Sequence, residues 1–312
     1  MIKYIVTRLI GLVMTLIIII SLLYITTNFS MMRIWMRPYD FRSAMSLVFS
    51  NYLSFIKGLI TSWDWGVNLK NEPVWPIFLE KVPVSLRINV IAFIIYAPLG
   101  IGLGIIAAVK KGTWADRSIG FFTMIFSAIP SFIMIFAIIY LTVYLNRWLP
   151  YRFPTETDTV ARQIKGYIIP ILALSLGPIA SLSRVIRGEL AESLTSEFIL
   201  LAKIKGLNKR QLIFRHGLRN AMVPVLPEVT QAFIMTLTGA FFIEIVYSIQ
   251  GVAKLFLRSL FQPFMDSSYV YIDTHMIVLI GAFYMTMTMV AIFLLDVTYA
   301  LIDPRIKIGS KK

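Results

Sequence analysis

The residues able to do chemistry are few and widely spaced. The 312-residue chain has no cysteine and only two histidines, His216 and His275. A disulfide framework, a thiolate metal site and a cysteine nucleophile are therefore excluded. Two histidines this far apart do not make a histidine-rich metal site. No nucleophile–base pair or metal constellation stands out. A G-x4-G-K-[ST] phosphate loop is absent, and there is not even a Gly-Lys pair, so this chain is not expected to bind ATP itself. Three carboxylates, Glu228, Glu244 and Asp296, fall inside long apolar runs. An ionisable group in such a run is a functional candidate by default. The remaining chemistry is positive charge: 30 Lys+Arg against 16 Asp+Glu, a formal +14. In a soluble protein that excess would suggest nucleic acid; in a membrane protein it is first a marker of topology.

Composition decides between those two settings. The chain is 58% hydrophobic and 15% charged, with a mean hydropathy of +0.77. Soluble domains are about 45–50% apolar and about 25% charged. An all-α polytopic membrane protein is expected, not a nucleic-acid binder or a soluble enzyme. Apolar runs at 9–29, 88–109, 118–145, 167–183, 224–248 and 275–302 give six spans. A crossing helix needs about 20 residues, so the fourth run is short and is expected to extend towards Val185. The first run is longer than a signal-peptide core and no A-x-A-like site follows it, so it reads as a retained helix. Pro130, Pro170 and Pro178 are expected to kink their helices. Gly100, Gly102 and Gly104 read as close-packing positions, not as a nucleotide loop.

Basic residues then orient the spans. With both termini inside, the inner segments 1–8, 110–117, 184–222 and 303–312 carry 17 Lys/Arg on 65 residues, and the outer segments carry 13 on 105. The positive-inside rule favours this N-in, C-in arrangement, most firmly through the short loop Lys110–Arg117. The outer segment 30–87 holds Trp35, Trp63, Trp65 and Trp75. It reads as an interfacial segment at the membrane surface, with a docking surface for an external partner as the other reading. Glu244 then lies towards the outer end of the fifth span, as part of a functional apparatus or as an interfacial or paired carboxylate. Glu228 and Gln231 lie near its inner start, in contact with water. Asp296 lies near the inner end of the sixth, where a structural ion pair is the simpler expectation. His275 reads as interfacial, and Met285, Met287 and Met289 as packing or lipid-facing filler.

The inner segment 184–222 is the most specific part of the chain. Apolar and basic residues mix at helical spacing from Leu200 to Lys205, Gly206 interrupts, and Asn208 reads as the N-cap of a second helix from Lys209 to about Asn220. Such a basic inner helix could simply sit on anionic lipid.

The spacing matches something more particular. Leu200-Leu201-Ala202-Lys203-Ile204-Lys205-Gly206-Leu207, then Arg215-His216-Gly217-Leu218-Arg219-Asn220-Ala221, resembles the EAA loop of binding-protein-dependent ABC import permeases. Its peptide branch reads R-T-A-R-A-K-G-L, then R-H-A-L-R-N-A. Leu200 and Leu201 depart from the general E-A start, and Gly217 stands in place of Ala. Glu244-Ile245-Val246-Tyr247 with Gly251 resembles the family's E-x-V-F…P-G-x-G element, with Gln250 and Ala253 as departures. Asp296-Val297-Thr298-Tyr299-Ala300-Leu301-Ile302-Asp303-Pro304-Arg305 resembles its D-x-x-Y-A-x-x-D-P-R terminus. Lys81-Val82-Pro83-Val84-Ser85-Leu86 and Tyr4-Ile5-Val6-Thr7-Arg8-Leu9 resemble the entries to its second and first spans. Together these motifs resemble the B-type permease of oligopeptide/dipeptide ABC importers.

The resemblance implies a type I ABC importer transmembrane fold. It divides the chain into 1–84, the first helix with a long extracytoplasmic loop; 85–303, the five-helix transmembrane domain with the coupling loop 184–222; and a basic tail, 304–312. It implies a plasma-membrane permease of a bacterium that forms half of a pathway for short peptides. The implied partners are a second homologous permease, two ATP-binding subunits, an extracytoplasmic solute-binding protein and membrane lipid. ATP and Mg would sit on the partners, leaving this chain with no cofactor and no enzymatic activity of its own. Leu200, Ala202, Lys203, Lys205, Gly206, Leu207, Arg210, Arg215, His216 and Arg219 would form the ATPase-coupling loop, with Glu244 and Asp296 as intramembrane candidates. Nickel, metallophore or other small-solute import within the same family is an alternative. An ion-coupled secondary transporter is an alternative of another class, although neither an inverted repeat nor a midplane carboxylate cluster is evident.

Overall fold

A computed structural model describes residues 2–35, 41–145, 148–155, 157–263 and 270–302. The chain is helical almost throughout. In order come α1 (Ile2–Trp35), α2 (Phe41–Ser62), α3 (Val74–Val109), α4 (Trp114–Ala128), α5 (Ser131–Leu145), α6 (Val160–Gly166), α7 (Ile168–Thr195), α8 (Glu197–Ile204) and α9 (Lys209–Gln211). A π-helical turn, Leu212–Gly217, leads into α10 (Leu218–Val246), followed by α11 (Val252–Leu260) and α12 (Thr274–Ile302). The strands among the described residues are β1 (Gln262–Pro263) and β2 (Val270–Tyr271), paired antiparallel with Gln262 opposite Tyr271.

Six continuous helical stretches are long and apolar enough to cross a membrane: 5–30, 41–62, 74–109, 160–195, 209–246 and 274–299. The pair α4–α5 meets the same requirement jointly but bends by 107° where Ile129 and Pro130 interrupt it. The proline supplies no N–H and restricts the residue before it, which ends α4. The expected kink is thus a full break. Pro178, by contrast, lies inside α7 without interrupting it. The short fourth run is lengthened ten residues beyond the expected Val185, because polar residues through Thr195 continue the helix. Within the segment read as an outer loop, Phe41–Ser62 forms a helix whose mean hydropathy, 1.2, is the lowest of the six.

The chain forms two compact units. The first comprises residues 1–86 and 250–290. Its core joins Ile20 and Tyr24 of α1, Phe55 of α2, Val74 and Phe78 of α3, and Met276, Leu279 and Ile280 of α12. Tyr24 stacks on Phe55 with centroids 4.5 Å apart, and Trp65 stacks on Trp75 at 6.0 Å. The His275 ring, placed by sequence at an interface, packs edge-on to Tyr24, and its Nδ1 lies 3.1 Å from the Val67 carbonyl.

The second unit comprises residues 87–249 and 291–312. Here α7 is the central helix, packed by α10, α4 and α5. Its buried face carries Leu174, Leu182, Ile186 and Leu190. Gly100 and Gly104 are the close-packing positions anticipated: a Cβ on Gly104 would lie 2.7 Å from the Ile186 Cβ, and one on Gly100 would lie 2.8 Å from the Leu182 Cβ. Gly102 has no atom within 4 Å of that position and takes no part. Near one end of α7, Arg187 forms a two-point ion pair with Asp116, Nε–Oδ1 2.5 Å and Nη2–Oδ2 2.9 Å. Near the other, Phe153 packs on Tyr167 at 5.1 Å. The start of α4 therefore lies beside one end of α7, and Phe153, in the segment after α5, lies beside the other. Tyr167 to Arg187 is about 30 Å of helix, the thickness of a bilayer core.

Candidate functional site

The segment from Ser193 to Ala221 is built from local backbone chemistry. Ser196, extended at φ −72° and ψ 154°, starts α8. Its end is a Schellman closure: the Gly206 N–H donates to the Lys203 carbonyl (3.0 Å) and the Leu207 N–H to that of Ala202 (3.3 Å). That closure places the residue after the cap in the left-handed region, and Gly206 has φ +84°. The spacing Ala202…Gly206-Leu207 is thus the spacing of a helix stop. Asn208 caps the next helix as anticipated. Its Oδ1 accepts from the Gln211 N–H (2.9 Å), and the Gln211 side chain accepts from the Asn208 N–H (3.0 Å). Two helix ends are thereby satisfied within four linking residues.

The second helix differs from the expectation that it would end near Asn220. Lys209–Gln211 passes through the π turn into α10, one helical path from 209 to 246. The turn packs on α7. Ser193 Oγ donates to the Gly217 carbonyl at 3.1 Å. A Cβ at Gly217 would lie 3.0 Å from Leu194 and 3.2 Å from Leu190, a physical reason for glycine at that position. On α8, Ile199 is buried at 4% exposure, whereas Ile204 is 82% exposed and Leu200 and Leu201 are also exposed. Lys203, Lys205, Lys209, Arg210, Arg215 and Arg219 are also exposed, with His216 half-buried. Exposed apolar and cationic side chains on one segment suit a partner groove with an acidic rim.

A cavity of about 480 Å³ lies beside this segment's supporting helices, between α7, α10 and the α4–α5 break. Phe126, Phe132, Leu174, Met235 and Phe242 give it apolar walls. Ser181, Arg184, Glu228 and Gln231 also line it, and the Ser181 hydroxyl donates to Glu228 Oε1. The expectation of water near Glu228 and Gln231 is compatible with this opening. Sequence reasoning missed Ser181 and Arg184, and it missed the Asp116–Arg187 pair, because both depend on helices meeting in space.

The family model described as the binding-protein-dependent transport system inner membrane component matches residues 100–308. The chain belongs to this family. Its helical fold is accordingly that of an ABC importer permease, a multi-pass membrane protein. Relatives include the oligopeptide transport system permease protein OppB of Salmonella typhimurium, 33% identical over 83% of this chain and 81% of that protein. The dipeptide transport system permease protein DppB of Bacillus subtilis is 30% identical over 83% of this chain and 80% of its own. DppB of Lactococcus lactis is 29% identical over 99% of this chain and the whole of that protein.

The intramembrane candidates of this family member lie on different helices. Glu244, on α10, is fully buried, and its backbone carbonyl accepts from the Ile249 N–H at 2.8 Å. The turn that follows is fastened to the 150–153 segment: the Phe153 N–H donates to the Tyr247 carbonyl at 2.9 Å, and the Tyr247 hydroxyl donates to the Pro150 carbonyl. Asp296 is half-buried on α12. The Asp303-Pro304-Arg305 end of the terminal motif, and the tail, lie outside the described residues. Among the described residues, no group of three His, Asp or Glu is arranged to hold a metal ion.

Proposed function

We propose that this chain is the B-type permease of a peptide ABC importer in a bacterial plasma membrane, with both termini cytoplasmic. It would form half of the pathway with a second homologous permease. An extracytoplasmic solute-binding protein would deliver the peptide and two ATP-binding subunits would supply the work. The oligopeptide and dipeptide permeases among its relatives support the substrate class.

The observation that carries the coupling role is α8 itself. It is a stopped helix that leaves Leu200, Leu201 and Ile204 exposed in a segment rich in exposed cations, and such a surface in a monomer asks for a partner. Its C-terminal neighbour continues directly into α10, and Ser193 ties the junction to α7. A force on α8 therefore has a rigid route into two spanning helices. When ATP closes the two ATPase subunits, the docked helices move with them and the pathway changes the side to which it opens.

Two substitutions test this in proteoliposomes holding the complete transporter. Gly206→Val strains the left-handed position, and Ile204→Glu puts a charge at an exposed apolar position without touching the core. Both should lower peptide uptake and peptide-stimulated ATP hydrolysis severalfold while the subunit stays in the membrane. Unchanged uptake in Ile204→Glu would overturn the coupling role. Activity of the chain alone, driven by an ion gradient, would overturn the importer reading.

A further inference from the structure

Short peptides differ in every side chain but share two charged ends. A pathway that accepts many of them has those ends as its constant features. The cavity between α7, α10 and the α4–α5 break holds one cation and one anion among apolar and uncharged polar residues. Arg184 and Ser181 are three residues apart on α7, and Glu228 and Gln231 are three apart on α10, so each pair shares a helix face. The Ser181 hydroxyl joins the two faces by donating to Glu228 Oε1. Arg184 lines the same cavity but makes no ion pair or hydrogen bond with another described residue. The two charges are thus displayed in one cavity without neutralising each other, which leaves both to a ligand.

We infer that this cavity reads the termini of a zwitterionic short peptide, with Arg184 meeting the carboxylate and Glu228 the ammonium. The inference rests on the peptide reading above. A guanidinium matches a carboxylate in two-point geometry. Glu228, held by Ser181, offers its other oxygen to an ammonium. The volume, about 480 Å³, is that of a small-ligand site. Phe126, Phe132, Met235 and Phe242 provide apolar, adaptable surface for side chains of varied shape.

The test uses the assembled transporter in proteoliposomes with a saturating solute-binding protein, and three probes: trialanine, trialanine amide and N-acetyl-trialanine. Arg184→Gln should lower trialanine uptake about tenfold and abolish the discrimination between trialanine and its amide. Glu228→Gln should do the same between trialanine and its N-acetyl form. Unaltered discrimination in both variants would overturn the inference and leave the peptide reading standing. Failure of the wild-type transporter to move any of the three would overturn the peptide reading itself. A second measurement exploits the absence of cysteine. Met235→Cys places the subunit's one thiol in the cavity, and trialanine should slow its alkylation severalfold. That protection should vanish when Arg184→Gln is added. Alkylation indifferent to trialanine would overturn the inference independently of turnover.

Discussion

Single side chains fasten the loops to the helices of this chain, and two of them make sharp predictions. Asp116 is 5% exposed; it takes Arg187 in two-point geometry and also accepts the Gly112 N–H at 2.9 Å. Asp116→Asn should cost about 1–3 kcal/mol, because a charged hydrogen bond is lost while Arg187 keeps partial access to water. In a thermal-unfolding cycle with Arg187→Gln in detergent, the two losses should couple by about 1 kcal/mol or more; strict additivity would refute the pair's contribution. Asp273, just before α12, is buried, and its Oδ1 accepts the Met276 N–H at 3.0 Å. Burial pushes its carboxyl up from 3.8 to about 6. The folded state therefore favours the protonated form, and this group's contribution is fully present below 3.8 and lost as pH rises through about 6. Asp273→Asn keeps an acceptor for the cap and removes the titration. The variant should show a shallower fall in melting temperature between pH 4 and 6.5 than the wild type, and equal slopes would contradict the assignment.

Elements follow from sequence where the controlling interaction is local, and they escape it where partners come from far along the chain. Asn208 was legible as a cap because its acceptor and its donor lie three residues apart. Asn208→Ala should cost about 1 kcal/mol of local helix stability and speed amide exchange at Gln211, whose N–H it binds; unchanged exchange would sink that role. The glycine stripe was legible as a packing device, but only the structure separates its members. Gly104→Ala should destabilise the second unit, since the new methyl meets Ile186 and the Ser183 carbonyl at 2.7 and 2.8 Å. Gly102→Ala should be neutral or stabilising, by up to about 1 kcal/mol, through helix propensity alone. Melting temperatures that moved together would refute this division. By contrast, Ser181–Glu228 and Asp116–Arg187 are separated by 47 and 71 residues and become visible only when α7 is placed. The true length of α7 was hidden because Arg184, Arg187, Glu189 and Glu192 continue the helix after its apolar run ends. Arg42, Lys57 and several serines hid α2 in the same way, by diluting its hydropathy.

At the scale of the whole molecule, the number of crossings decides which side each segment occupies. We expect the broken pair α4–α5, long and apolar enough jointly despite its 107° bend, to make one crossing. With α1, α3, α7, α10 and α12 it would make six, an even number that would leave both termini on one side, as the proposed topology requires. A seventh crossing by α2 would separate them. Contacts within the first unit argue against that crossing. The start of α2 lies near the far end of α1, with Phe41 against Phe29 at 5.8 Å. Beyond the end of α2, Trp63 packs on Trp75 near the start of α3 at 5.6 Å, and Phe55 lies 5.8 Å from His275 at the start of α12. Along α1, α2 reaches the region of Ser21 and Tyr24, while residues 6–11 stay exposed. We therefore expect α2 to turn back along the outer part of α1 instead of crossing. Single cysteines in this cysteine-free chain can decide it. Phe41→Cys, Lys70→Cys and Tyr151→Cys should all react with a membrane-impermeant maleimide added outside intact cells, and Lys111→Cys only after permeabilisation. Labelling of Phe41→Cys and Lys70→Cys from opposite sides would make α2 a span and would place the two termini on opposite sides of the membrane.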